Sequence, residues 1–278
     1  MKSIIAASAS NPRASPSYHL GRRGSGTLRR VRKIDDYRHA LRRRRDWDAH
    51  LRAHSGLPGP RGNLELAAAA AAEGDRRRFD RYLALTPDQA PENTPEVFLV
   101  VCGLLGYGRL LAEGNLSLLP RLRHLANDPR WRVREAVAMA LQSWGDADIL
   151  ALLGEMRAWS QGSLLEQRAA LAAVSEPRLL TNRRTTAAVL SLLDRITRHL
   201  HKERDRRSEP FRVLRQTLGY AWSIAVAADL EHGRPRFERW VLSDDPDLRW
   251  VARQNLTKNR LRRSDPAWTR RLLAGLER

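Results

Sequence analysis

The sequence predicts an all-α protein, a right-handed α-solenoid of helical hairpins with a disordered basic N-terminal tail. Three observations predict it. Apolar residues recur at helical period: Val133, Ala136, Val137, Ala140, Leu141 and Trp144 fall at i, i+3, i+4, i+7, i+8 and i+11. One local pattern, an Arg followed by small and aliphatic residues, returns at Arg134, Arg168, Arg215 and Arg249, at steps of 34, 47 and 34 residues. Acid-Pro pairs at 128–129, 176–177, 209–210 and 245–246 punctuate the helical stretches. There the acid accepts bonds from free N–H groups at a helix start, and Pro lacks the donor that would go unpaired.

Taken in order, residues 1–33 contain no acid and are rich in Ser, Gly, Pro and Arg, which predicts a disordered tail with too little apolar surface to order itself. A transit peptide shares that composition. A helix is expected from Ile34 to about His54, with Arg42 to Arg45 inside it; Leu57-Pro58-Gly59-Pro60 ends it. An alanine-rich helix follows over Asn63–Glu73, then a short one over Asp75–Leu85. Thr94-Pro95-Glu96 opens a helix to about Glu113, stopped by Gly114-Asn115. Residues 34–113 thus form an N-terminal helical region, read as one or two degenerate repeats, and residues 114–278 form the clear repeats.

In the clear repeats, Leu116–Asn127 and Pro129–Trp144 make a hairpin around the Asp128-Pro129 turn. A hairpin of this kind cannot bury its apolar stripe alone and needs neighbours. Arg183 to about Glu203 is a long helix with Val189, Leu193, Ile196 and Leu200 inward, followed by a charged linker from Lys202 to Glu209. Ser264-Asp265-Pro266 starts a capping helix with Trp268, Leu272, Leu273 and Leu276. No segment alternates at strand period between hairpin turns, so no sheet is expected.

The Asp-Pro turn, the Arg that follows it and the run of small and aliphatic residues resemble HEAT repeats, clearly over Leu116–Trp144 and Arg234–Leu261 and more weakly over Asp146–Val174 and Phe211–Ala228. Asp128–Gln142 and Asp244–Leu261 look like bacterial proteins described only as containing such repeats. The resemblance implies a solenoid with a concave binding face and no particular ligand. It also implies that Arg134, Arg168, Arg215 and Arg249 hold a turn Asp of their own or the next repeat. A more distant likeness is to the HEAT-like glycosylases that remove alkylated DNA bases. It covers architecture, basic charge and tryptophans, matches no motif residue by residue, and carries over no catalytic residue. Glu135, near Trp131, is the carboxylate to mutate on that reading; pairing with Arg132 or Arg134 is the plain alternative.

The formal net charge of +19 and a pI near 11.3 point to an acidic partner, either nucleic acid or an acidic protein. Of the 50 basic residues, 46 are arginine, a bias that a GC-rich coding sequence also produces without explaining the excess of base over acid. The expected contacts are Arg130, Trp131, Arg132 and Arg134 in one repeat and Arg249, Trp250 and Arg253 in another, where aromatic rings alternate with guanidinium groups able to stack or to meet phosphates. Trp131 and Trp250 capping the seams between repeats is the competing explanation.

No complete catalytic motif stands in the sequence. The glycines at 21–26 and 103–108 follow no strand and lack the nucleotide-binding order, and the second group suits close helix packing. Asp46, His50 and His54 share a helical face at metal-like spacing but lie among arginines and lack a fourth partner. The lone Cys102 lies in an apolar run, where a thiol is inert and a reducing compartment suffices. Residues 97–107 are too short an apolar stretch to cross a membrane, and Met1–Ser10 makes a poor secretory signal. The expectation is a non-enzymatic, cytoplasmic binding or scaffold protein without cofactor, metal or membrane insertion, with a glycosylase as the enzymatic alternative.

Overall fold

The structure, a computed structural model, describes residues 25–277. Among these there are fifteen α-helices and no strand, so the all-α class holds. The chain divides into two compact units, one ending at Ala147 and one beginning at Asp148. The sequence places its boundary at 113/114, and the helix before that position packs most extensively against the helix of the first clear repeat.

The first unit contains α1 (Ser25–Arg42), α2 (Trp47–Ala53), α3 (Leu64–Glu73), α4 (Arg76–Leu83), α5 (Pro95–Ala112), α6 (Leu119–Leu125) and α7 (Trp131–Ala147). Two expectations are corrected here. α1 begins at Ser25, not Ile34, because Arg30 and Lys33 pair with Glu65 on α3, at 3.3 and 3.9 Å. The rest of the expected tail, residues 1–24, lies outside the described residues. The single helix expected to His54 is two helices. Asp46 accepts from the Ala49 N–H at 3.1 Å and so starts α2 afresh, while Trp47 Nε1 donates to the Leu41 carbonyl at 2.9 Å and folds α2 back onto the end of α1. Of the four consecutive arginines, Arg42 ends α1 and the others form the turn.

α5 is the spine of this unit, packed by α2, α3, α4 and α7. It is long and apolar enough to cross a membrane, yet most of it is buried inside the unit. Its glycines allow that packing. A Cβ on Gly106 would lie 2.4 Å from the Phe79 ring, and one on Gly108 would lie 2.7 Å from the Ala140 Cα on α7. Close helix packing, not ligand cradling, is therefore what the Gly103–Gly108 cluster does. All six residues of the α7 stripe are buried.

The second unit contains α8 (Ile149–Trp159), α9 (Leu164–Val174), α10 (Arg183–Lys202), α11 (Glu209–Ala228), α12 (Leu230–Val241), α13 (Pro246–Leu256), α14 (Asn259–Ser264) and α15 (Pro266–Glu277). Consecutive helices alternate between two layers. α8, α10 and α12 stack in one layer, and α9, α11 and α13 in the other. Asp148, Ser163, Asn182, Ser208, Asp229 and Asp245 cap the helices that follow them, each accepting a backbone N–H. Between the layers, Trp222 is fully buried and donates from Nε1 to the Thr197 hydroxyl at 3.0 Å. Asn255, also fully buried, ties α13 to α11 through the Ser223 N–H and the Leu218 carbonyl, both at 2.8 Å. Buried Trp268 and Leu276 fix α15, the expected capping helix.

Candidate anion-binding site

The residues expected to meet an acidic partner are largely engaged with their own chain. In the first unit Arg130, Arg132 and Arg134 are all buried. Arg130 grips the Asp128 carboxylate with two bonds, at 2.7 and 2.8 Å, and donates to the carbonyls of Leu85, Thr86 and Ala90. Arg132 donates to the Gly59 carbonyl at 2.6 Å and Asn93 Oδ1 at 2.9 Å, and it pairs with Glu92 at 3.1 Å. Burial pushes its pKa down, and Glu92 opposes the shift. Arg134 donates to the carbonyls of Asp128 and Pro129. These three side chains pin the turn and the 85–93 loop to the repeat. Trp131 is covered by the Arg132 guanidinium, 4.4 Å from its ring. Glu135 on α7 is half-buried and has a partner of its own.

In the second unit Arg249 and Arg253 converge on the Leu276 carbonyl, at 2.7 and 3.2 Å, and so hold the capping helix. Trp250 lies under the Arg215 guanidinium, 4.5 Å from its ring, and against the bare face of Gly219. Both exposed-looking tryptophans therefore stack with arginine, and Trp250 does so at the seam between α11 and α13. Of the repeated arginines, Arg249 holds the Leu276 carbonyl and Arg134 the carbonyls of Asp128 and Pro129, whereas Arg215 pairs with Asp247, two residues past the turn Asp245 of the next repeat. That turn is further clamped by Arg206, from the linker after α10, which binds both Asp245 and Asp247. Burial works to raise the Asp245 pKa, but bonds from Arg206 and His201 prevail and hold it well below the usual carboxylate range.

One cluster of open arginines lies in the other layer. Between α10 and α12 runs a cleft of about 620 Å³, lined by Ser191, Asp194, Arg195, Arg198, Pro235, Arg236 and Arg239. Its geometry follows from helical period. Ser191, Arg195, Arg198 and Lys202 fall at i, i+4, i+7 and i+11 on the face of α10 opposite Val189, Leu193, Ile196 and Leu200, which are buried. Arg236 and Arg239, three apart on α12, face the same cleft. Among the described residues Arg195 and Arg198 have no carboxylate within ion-pair distance. Asp194 is the cleft's one acid. It sits 3.1 Å from Arg239 and 3.7 Å from Arg236, and accepts from Trp240 Nε1 at 2.9 Å. Four guanidinium groups against one carboxylate leave a surplus of positive charge.

Asp46 caps α2, and the His50 and His54 rings stack at 4.4 Å. Asp229, Glu231 and His232 do bring one ligand atom each within 4.8 Å of one another. Asp229 also caps α12 and lies 2.9 Å from His232 Nδ1, while Glu231 pairs with Arg183 at 2.5 Å. Cys102 is fully buried, and burial pushes its thiol up, away from the reactive thiolate.

Comparison with known proteins agrees with this anatomy at one place. The HEAT repeat family model matches residues 118–146, the hairpin of α6 and α7. The chain thus has HEAT-repeat character, that of a repeat scaffold or binding protein. No curated protein and no solved structure matches it, so the likeness to alkyl-base glycosylases rests on architecture and composition alone.

Proposed function

We propose that the chain is a non-enzymatic HEAT-repeat binding protein whose second unit holds the phosphate backbone of nucleic acid, with its reach set by charge and not by base sequence. The observation that carries this reading is the cationic cleft between α10 and α12. Arg195, Arg198 and Lys202 span about 10 Å along α10 at 1.5 Å per residue. A duplex strand presents a phosphate about every 3.4 Å of its axis, so this stripe can meet about three. Arginine also matches phosphate with a planar fork, which a lysine surface does not. An acidic protein offers carboxylates at no fixed pitch, and the regular stripe favours the polymer with regular charge.

The test is fluorescence anisotropy of a labelled duplex with the full chain at about 50 and about 200 mM salt. Release of counterions from about three to five phosphates predicts a loss of about 40- to 500-fold in affinity between them. Competition by unlabelled polyglutamate at charge-matched concentration that removes the duplex completely would instead favour an acidic protein. No binding at either salt would end the nucleic-acid reading.

A further inference from the structure

A carboxylate inside a basic cleft is an odd thing to find at an anion site, since by charge alone it repels the ligand. The geometry of Asp194 explains its presence. Every partner it has on α12 is part of the cleft or adjoins it. Oδ1 accepts from Trp240 Nε1 at 2.9 Å and from Arg239 Nη2 at 3.2 Å, and Oδ2 accepts from Arg239 Nη2 at 3.1 Å and lies 3.7 Å from Arg236 Nη1. Arg236 Nη1 also donates to the Ser191 hydroxyl at 3.0 Å, and that hydroxyl donates in turn to the Ala187 carbonyl. Asp194 is only 8% exposed, whereas the Arg236 and Arg239 side chains are 34% and 63% exposed. One nitrogen of each guanidinium is thus held by α10, Arg239 Nη2 by Asp194 and Arg236 Nη1 by the Ser191 hydroxyl with Asp194 at ion-pair distance, while no other partner is found for either among the described residues.

We infer that Asp194 is a positioning residue that builds an oxyanion-binding cleft, holding Arg236 and Arg239 as a fixed pair opposite Arg195 and Arg198 to receive a phosphodiester group. Two loose arginines lose rotamer freedom when they bind an anion. Two arginines already tethered to α10, Arg239 by Asp194 and Arg236 by Ser191 and the Asp194 charge, have lost part of it beforehand, which is the general advantage of preorganisation. The inference rests on the function proposed above and adds to it the residue that shapes the site.

The experiment compares the wild-type full chain with Asp194→Asn, again by anisotropy of a labelled duplex across a salt series. Asparagine keeps an oxygen for Trp240 and the side-chain shape, and matching circular dichroism and melting profiles establish that the variant is folded. Two accounts predict opposite signs. If Asp194 is merely a negative charge near the ligand, its neutralisation tightens binding. If it positions the arginines, binding weakens by about tenfold, and the slope of log affinity against log salt falls by about 2 as two phosphate contacts are lost. Unchanged or tighter binding by the variant beside a binding wild type overturns the positioning role and leaves the function intact. A wild type that binds no duplex overturns both.

Discussion

Replacing Gly108 by alanine tests how α5 came to be buried. A Cβ at that position would stand 2.7 Å from the Ala140 Cα and 2.8 Å from its carbonyl oxygen. Both are backbone atoms, so α7 must move away from α5 by several tenths of an ångström. Overpacking of this kind costs about 1–3 kcal/mol. Against it stands the helix propensity of alanine over glycine, about 1 kcal/mol in favour of the variant. The clash is with a rigid neighbour, so the upper part of its range applies, and the net expectation is a loss of about 1–2 kcal/mol. Gly154 supplies the control. It sits in the middle of α8 with nothing within 4 Å of an added Cβ, so Gly154→Ala keeps only the propensity term. At about 2–4 °C per kcal/mol, thermal melting should fall by several degrees for Gly108→Ala and rise by about 2–4 °C for Gly154→Ala. A Gly108→Ala variant as stable as, or more stable than, the wild type would refute the close packing of α5 on α7.

Two further predictions concern charges used for structure. Asp128→Ala strips the buried Arg130 of its carboxylate while leaving its carbonyl partners, and urea unfolding should show a loss of about 3 kcal/mol, as for other broken buried pairs; a change below about 0.5 kcal/mol would contradict the pinning role. Glu73 carries the acid dependence of the α1–α3 junction. Bonds from Arg42, and then from Arg38, overcome its desolvation and bring its pKa from 4.5 to about 2. Because the folded value is the lower one, this contribution is complete above pH 4.5 and is lost as pH falls towards 2. Glu73→Gln should accordingly melt lower than wild type at pH 7 and equal to it near pH 2, and a constant difference across that range would tell against the pairing.

Much of the fold could be read from the sequence because its signals are local. The α7 stripe, the Asp-Pro turns, the long α10 and the cap formed by α15 depend on residues a few positions apart. The failures came where a distant partner decides. Nothing near Arg30 announces Glu65, so α1 seemed to start late, and the break at Arg43–Asp46 depends on the Trp47 indole folding back to Leu41. The candidate site shows the same division. Arg130, Arg132, Arg134 and Arg249 stood out because they flank tryptophans and turns, and those features are what tie them to Asp128, Glu92 and the Leu276 carbonyl. The cleft between α10 and α12 was marked by a plainer signal. The polar face of α10, at Ser191, Arg195, Arg198 and Lys202, was implied as soon as its apolar face was recognised. Its partners Arg236 and Arg239 could be joined to it only by the packing of α12 on α10.

The most direct test of the central claim is the salt dependence of duplex binding by the full chain with and without Arg195→Ala/Arg198→Ala. Neither arginine has a carboxylate partner among the described residues, so their removal leaves the fold's ion pairs intact, and the basic residues 1–33 remain present in both proteins. The account predicts weaker binding and a salt slope smaller by about 2, one unit for each phosphate contact removed. Identical affinity and identical slope would mean that the duplex, if bound at all, is held elsewhere, and the cleft between α10 and α12 would lose its assigned role.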